Sequence, residues 1–425
     1  MFAGSAVLLK GLGFLLSLWI AHALIPEQYG IWGLAFAVQI GIGTFGMVGI
    51  QESLVGLFQE YPNRLDRQRL YAAGTSALLS TLAATLVLST IVIFFALGSR
   101  NIGSVGYAGV VVSGSLMALT SLQAQIARLE EDHIASLTFS FLIPLAGIAG
   151  SAIAFKVIPS VDAFFAGSGL GMLVATAMLY RRLRGLTFPT REVTFTLSKL
   201  LRRLPPFVLV AFLGWLSGYG SSLVVDHLFG LVDVGKLTFL LTIGSVLQLL
   251  TTALNQVWAP RFYSLIHSKQ DKETIERLNY RFYSVQGLGL GVFAAICVAG
   301  VPSLLAYAGG QLTSYRHMQL EMLLIFVGYI SLVPFTHCQN YLLVYDKGKS
   351  LMYVALLTSI VGLTVWFALM TFLGAIGIYL GFFIQMMLRS IGISISVRQW
   401  PVRLSWGATV GGILLASSGL LFPTA

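Results

Sequence analysis

Long apolar runs, interrupted by short polar and charged clusters, organise this chain from end to end. Runs of the length that crosses a roughly 30 Å hydrocarbon layer cover residues 4–24, 31–58, 71–97, 105–127, 134–156 and 162–180. After a polar stretch they resume at 205–229, 235–257, 282–304, 320–343, 350–372 and 375–397. The pattern predicts twelve core spans, with the Gly- and Ser-rich "SWGATVGGILLASSGLL" of residues 405–421 as a possible short thirteenth. Period-two alternation is missing and the runs are too long for a membrane β-barrel. The expected fold is an all-α polytopic membrane protein.

Composition agrees. Of 425 residues 56% are hydrophobic and 10% charged, against about a quarter charged in soluble proteins, so too few polar residues are present to cover a water-exposed surface. Cys297 and Cys338 both fall inside apolar runs, show no metal-ligand spacing, and read as small packing residues.

The net charge of +10 is informative through its distribution. With Met1 placed in the cytoplasm, twenty of the 26 Lys and Arg fall in inner loops, the densest set being Arg181, Arg182, Arg184, Arg191, Lys199, Arg202 and Arg203. Outer loops hold Arg100, Lys156, Lys236 and Arg316, while Lys10 and Arg389 lie within spans. This bias follows the positive-inside rule and predicts a multi-pass cell (inner) membrane protein with a cytoplasmic N-terminus. It also makes "IAHALIPEQYGIWGLA", residues 20–35, an outer turn.

An internal repeat is visible at an offset of 205, which matches Gly13 with Gly218, Ser17 with Ser222, Leu18 with Leu223, His22 with His227 and Gly30 with Gly235. The match falls where a seventh span would mirror the first. The expected organisation is a six-helix lobe over 1–180, a basic cytoplasmic linker over 181–204, a second six-helix lobe over 205–397 and a C-terminal segment over 398–425. Two halves that start on the same side form a parallel repeat about a pseudo-two-fold axis along the membrane normal. Such lobes enclose a central cavity, an architecture that suggests a transporter.

Three stretches resemble a known family. "IAHALIPEQYGIWGLA" resembles the first outer turn of polysaccharide and oligosaccharide-lipid flippases of the O-antigen flippase type. Residues 225–265, from "VDHLFG" to Pro260 and beyond, are similar to that family's seventh and eighth helices, and residues 341–381 to its tenth-to-twelfth region. The superfamily comprises multidrug exporters, oligosaccharide-lipid flippases and peptidoglycan-precursor flippases. The resemblance implies flipping of an undecaprenyl-pyrophosphate-linked oligosaccharide. It departs at His22, where the family pattern has arginine, and in the tail after residue 397, which fits neither a twelve-span nor a fourteen-span version.

Ionisable residues inside a bilayer each need an account, since a charge at its centre costs roughly 2.5–3.5 kcal/mol on insertion scales. Lys10 reads either as a cationic contact for an anionic head group or as a snorkelling lysine. Arg389 offers a rigid fork suited to pyrophosphate, or snorkels to the inner face. Glu52, near the inner end of the second span, is a coupling-ion candidate or the partner of Arg64 or Arg67. Asp226, His227 and His22, at the outer ends of the seventh and first spans, are candidates for proton sensing or plain interfacial residues.

Uncharged polar residues make a clearer pattern. Thr238, Thr242, Ser245, Gln248, Thr252 and Asn255 recur every three or four residues, a polar stripe along one helix. It lines a wet cavity offering hydroxyls and amides to sugar, or else packs against another helix. Thr336, His337, Gln339 and Asn340 form a second polar cluster toward an inner end. From these the substrate-binding set is Lys10, Arg389, Thr242, Ser245, Gln248, Thr252, Asn255, His337 and Asn340. No phosphate-binding loop, metal spacing or nucleophile–base pair is present, so the expectation is a transporter without catalytic residues or cofactor.

The reading is a flippase carrying a lipid-linked oligosaccharide from the cytoplasmic to the outer leaflet by alternating access, for surface polysaccharide synthesis. Its partners would be that substrate, membrane lipids and polysaccharide polymerase and chain-length machinery, and no nucleic acid. One rival is a cation-coupled multidrug or metabolite exporter of the same superfamily. Another is a membrane-embedded glycan polymerase or ligase, which would need longer outer loops than the roughly fifteen residues near 305–319.

Overall fold

A computed structural model describes residues 2–58, 60–61, 63–96, 102–179, 182–183, 191–202, 204–268, 270–344, 348–397 and 403–421. Arg100 of the outer loops, and Arg181, Arg184, Arg203, Lys269, Lys347 and Arg398 among the twenty inner-loop cations, lie outside them. The described residues contain helices and no strand, the all-α polytopic fold expected. Ten helices, or helix pairs in line, are long and apolar enough to cross a membrane, and a bent pair raises this to eleven. Residues 8–23 and 405–421 form shorter apolar helices. The chain clusters into two compact units, Met1–Ile20 with Glu27–Val234, and Ala21–Pro26 with Gly235–Ala425.

The first unit holds α1 (Phe2–Ala23) through Ile20, α2 (Pro26–Met47), α3 (Ile50–Phe58), α4 (Arg64–Ala96), α5 (Ser104–Leu129), α6 (His133–Leu137), α7 (Ile143–Val157) and α8 (Val161–Met178). It continues with α9 (Arg191–Leu201), α10 (Pro205–Leu216) and α11 (Ser221–Phe229). Between α6 and α7 one π-helical turn, Thr138–Leu142, precedes Pro144, whose missing N–H unsettles the ladder behind it. Small residues let backbones approach here: the Gly150 and Gly167 carbonyls stand where each other's Cβ would be, locking α7 on α8.

The run 205–229 is not one straight helix. It breaks over residues 217–220, with α10 and α11 bent by 40°. The ring of Trp215 fills the space where a Cβ at Gly220 would sit, 2.6 Å from Cζ3, and its Nε1 donates to the Ala37 carbonyl of α2 at 2.9 Å. Phe45 meets Trp215 edge-on at 5.6 Å and Phe36 meets Tyr219 at 5.7 Å, so aromatic contacts hold the broken helix to α2. On the basic stretch expected as a linker, α9 is amphipathic. Its Leu197 packs against Ala72 and Ala73 of α4, and Lys199 pairs with Glu60.

The second unit takes α12 (Leu231–His267) from Gly235, then α13 (Lys272–Ala308), α14 (Gln319–Ile330), α15 (Val333–Val344), α16 (Gly348–Leu373), α17 (Ala375–Ser396) and α18 (Arg403–Ser418). Pro260, expected to close the eighth span, lies inside α12. Gly374, at φ +64°, makes the turn between α16 and α17, and Gly377 then brings α17 against the Leu369 carbonyl. The glycines of the C-terminal segment have the same use. A Cβ at Gly287 would come 2.6 Å from the Ala408 carbonyl oxygen, and Gly291 and Gly412 are equally close, so α18 lies along α13. Ser405 and Thr409 of α18 are fully buried, and the Thr409 hydroxyl donates to the Ser405 carbonyl at 2.8 Å.

Candidate functional site

The polar stripe lies on α12. Thr238, Thr242, Ser245 and Asn255 are half-buried, while Gln248 and Thr252 are exposed. Thr242 Oγ1 donates to the Thr238 carbonyl at 2.8 Å, Ser245 Oγ to Thr242 at 2.6 Å and Thr252 Oγ1 to Gln248 at 2.8 Å. The hydroxyl protons are thus spent on the helix's own carbonyls, which leaves the oxygens as acceptors on an accessible face. A stripe used for helix packing would bond across to a neighbour. Among the described residues only its C-terminal end does so: Asn255 Oδ1 accepts from Asn340 Nδ2 at 2.8 Å.

Asn340 and His337 sit on α15 within the interior of the second unit, at 2% and 1% exposure. The Asn340 amide also reaches the Tyr283 hydroxyl at 3.4 Å, and Asn279 Nδ2 donates to the Tyr341 hydroxyl at 2.7 Å. The His337 ring lies 4.2 Å from that of Tyr283 and 5.1 Å from that of Tyr341. Asn255, His337 and Asn340 therefore share one buried network with Asn279, Tyr283 and Tyr341, three residues the sequence reading did not select. Their signal was present: Asn279, Tyr283 and Gln286 follow an i, i+4, i+7 spacing on α13, and all three are buried.

Arg389 is half-buried on α17, its guanidinium 5.3 Å above the Phe335 ring. Its Nε is buried with no hydrogen-bond partner, and no carboxylate pairs with it among the described residues. One turn earlier the side-chain amide of Gln385 is fully buried and equally unpartnered. Among the described residues, then, Arg389 is a cation with no anion beside it, and its guanidinium fork can accept one from outside.

The other candidates are dispersed. Lys10 is exposed on α1 and Glu52 is exposed in the first turn of α3. Arg67, weighed as a partner for Glu52, instead lies 4.4 Å over Phe58 and donates Nε to the Tyr61 carbonyl at 3.2 Å. Asp226 is buried at the end of α11 and the adjacent His227 exposed. His22, exposed at the end of α1, lies against Gly310, where a Cβ would come 2.7 Å from its Nε2. Among the described residues no group of His, Cys, Asp and Glu has the geometry to hold a metal ion.

No protein-family model matches the chain, and no curated protein matches it in sequence. Its fold does recur among solved structures. The lipid II flippase MurJ in an inward-closed conformation superposes with a TM-score of 0.73 at 12% identity, over 100% of this chain and 93% of that one. An inward-facing multidrug resistance MATE family transporter of the MOP superfamily gives 0.63 at 15% identity, over 98% and 96%. A mutant of the Vibrio cholerae MATE transporter VcmN gives 0.51 at 14%, over 94% and 95%. At these identities the likeness speaks to architecture, and the chain has the polytopic all-α fold that MATE transporters and MurJ share.

Proposed function

We propose that this chain is a membrane transporter that moves a polyprenyl-pyrophosphate-linked oligosaccharide from the cytoplasmic to the outer leaflet by alternating access. The observation that carries this reading is the accessible stripe on α12. From Thr238 to Asn255 it contains no charged residue, and its hydroxyls present acceptor oxygens. An uncharged face of this kind suits hydroxyl-rich, neutral sugars rather than organic cations. Arg389, free of any anionic partner among the described residues, is suited to a phosphate. Lys10 is the second candidate for that contact. The shared fold with a lipid flippase over the whole chain supports the same reading.

The membrane potential can supply the work. Outward movement of an anion from a negative interior gains about 2.3 kcal/mol per charge per 100 mV. Two phosphate charges gain several kcal/mol without nucleotide hydrolysis. The second reading, a multidrug or metabolite exporter, is favoured by the likeness to an inward-facing MATE transporter.

Reconstitution separates the two. Vesicles containing the protein are loaded with a fluorescent polyprenyl-pyrophosphate oligosaccharide, and its transfer between leaflets is followed by quenching from outside. Parallel vesicles contain a cationic dye. Transfer of the glycolipid above that of protein-free vesicles, with no dye efflux, is the expected result. Dye efflux without glycolipid transfer would replace this reading with the exporter.

A further inference from the structure

The buried network of the second unit contains more polar chemistry than its own contacts use. Among the described residues both ring nitrogens of His337 lack a hydrogen-bond partner, and so does Asn279 Oδ1. Buried polar groups are nearly always satisfied, so an imidazole with two idle nitrogens asks for a reason. Imidazole is the side chain whose ordinary titration falls between pH 5 and 8. Idle donor and acceptor sites of this kind are what a proton-exchanging group has when it is not occupied.

We propose that His337 is a proton-binding site in the interior of the second unit, separate from the stripe, and that its occupancy is linked to the packing of α13 against α15. The surroundings give the linkage its direction. Tyr283 of α13 faces the ring, with Tyr341 and Cys338 on its own helix. Cys338 lies 3.7 Å from Ser394 of α17, and the cation nearest in that helix, Arg389, lies over Phe335. Through Asn340, α12 contributes the uncharged Asn255. Helices α15, α16, α17 and α18 contain no acidic residue. The acids of α13 are Glu273 and Glu276 near its start, and Glu276 pairs with Lys272 at 3.7 Å. Asp233, the acid of α12, is near its first turn.

An imidazolium in the packed state would have no counter-charge beside it. Protonation therefore favours a state in which α13 and α15 part and water reaches the ring. A ligand that binds one of two states better shifts the population toward it, and the proton is such a ligand here. Resting on the transport reading above, this makes the cycle proton-linked. The transferred species is H⁺ alone: it joins an imidazole nitrogen from water and leaves to water, with no redox partner.

The test is histidine-labelled NMR on the full chain in lipid nanodiscs, run beside hydrogen exchange at about pH 5.5 and about pH 8. His337→Gln assigns the signal. Should that variant not fold, single Gln substitutions at the other five histidines assign it by elimination. The expected result is a His337 signal that is neutral at about pH 8 and takes up its proton only toward the acid end of this range, as the helices part. Exchange in residues 275–290 and 333–344 should quicken at acid pH beyond its intrinsic change, and His337→Gln should abolish that excess. A signal that stays neutral throughout, with the same exchange in both proteins, would overturn the proposal. Titration in a chain that moves no glycolipid would sink the transport reading and leave this site standing. Glycolipid transfer with an inert His337 would do the reverse.

Discussion

Asn340 donates from Nδ2 to Asn255 Oδ1 at 2.8 Å, tying the C-terminal end of the α12 stripe to the buried face of α15. The bond marks where the stripe changes from an accessible surface to an interior contact. Losing one partner leaves the other amide unsatisfied in a buried site, at about 1–3 kcal/mol. Asn340→Leu and Asn255→Leu should each lower thermal stability in detergent. The double variant should cost less than the two separately, because it strands neither amide, while the Tyr283 hydroxyl loses its Asn340 contact in the Asn340→Leu and the double variant alike. Additive losses would show that the pair is not coupled.

The α13–α18 seam is a second place where a small change acts through packing. A leucine at Gly412 would drive a side chain into the Gly287 carbonyl, and overpacking costs about 1–3 kcal/mol. The Gly412→Leu variant should insert in the membrane yet unfold at lower temperature. Gly407, whose Cβ would meet nothing within 4 Å, is the control: Gly407→Ala should leave the unfolding temperature unchanged or higher.

That seam also shows what a sequence can and cannot carry. Helix positions followed from apolar run length, because the bilayer core imposes a length and the chain has few other ways to satisfy its backbone there. The glycines of 405–421 looked like a weak span because their partner, α13, is more than a hundred residues away. The kink in 205–229 was hidden for a similar reason. Nothing local in "WLSGYG" reports that Trp215 will turn to the Ala37 carbonyl. The stripe on α12 was legible by its spacing alone. His337 and Asn340 were legible as polar, but their burial depends on Tyr283 and Tyr341 arriving from two helix faces.

Arg389 separates stability from function. Arg389 is half-buried with its Nε unpartnered among the described residues, so an apolar replacement of similar length removes an uncompensated charge and costs the fold little. Arg389→Met should therefore keep or raise the unfolding temperature while slowing glycolipid transfer about tenfold, the loss of one charge-assisted contact. Lower stability with normal transfer would mean that Arg389 serves the fold and not the phosphate.

Outside the membrane-spanning segments, Asp271 caps α13 by accepting from the Thr274 backbone N–H at 2.8 Å. That hydrogen bond holds its carboxyl below the usual carboxylate range. With the folded-state value depressed, the cap is fully present above the ordinary aspartate range and is lost as pH falls through the depressed value. Hydrogen exchange at residues 272–276 should quicken over that acid window, and Asp271→Ala should show the faster exchange already at neutral pH.

The account stands on the α12 stripe as the wet, substrate-facing surface, and thiol labelling of that surface tests it most directly. Cys297 and Cys338, the two native cysteines, are first replaced by alanine, and Ser245→Cys is then introduced. A membrane-impermeant, water-soluble maleimide should label residue 245 in intact vesicles, and saturating polyprenyl-pyrophosphate oligosaccharide should slow that labelling. Labelling only by a lipid-soluble maleimide, at a rate the glycolipid does not change, would contradict the account.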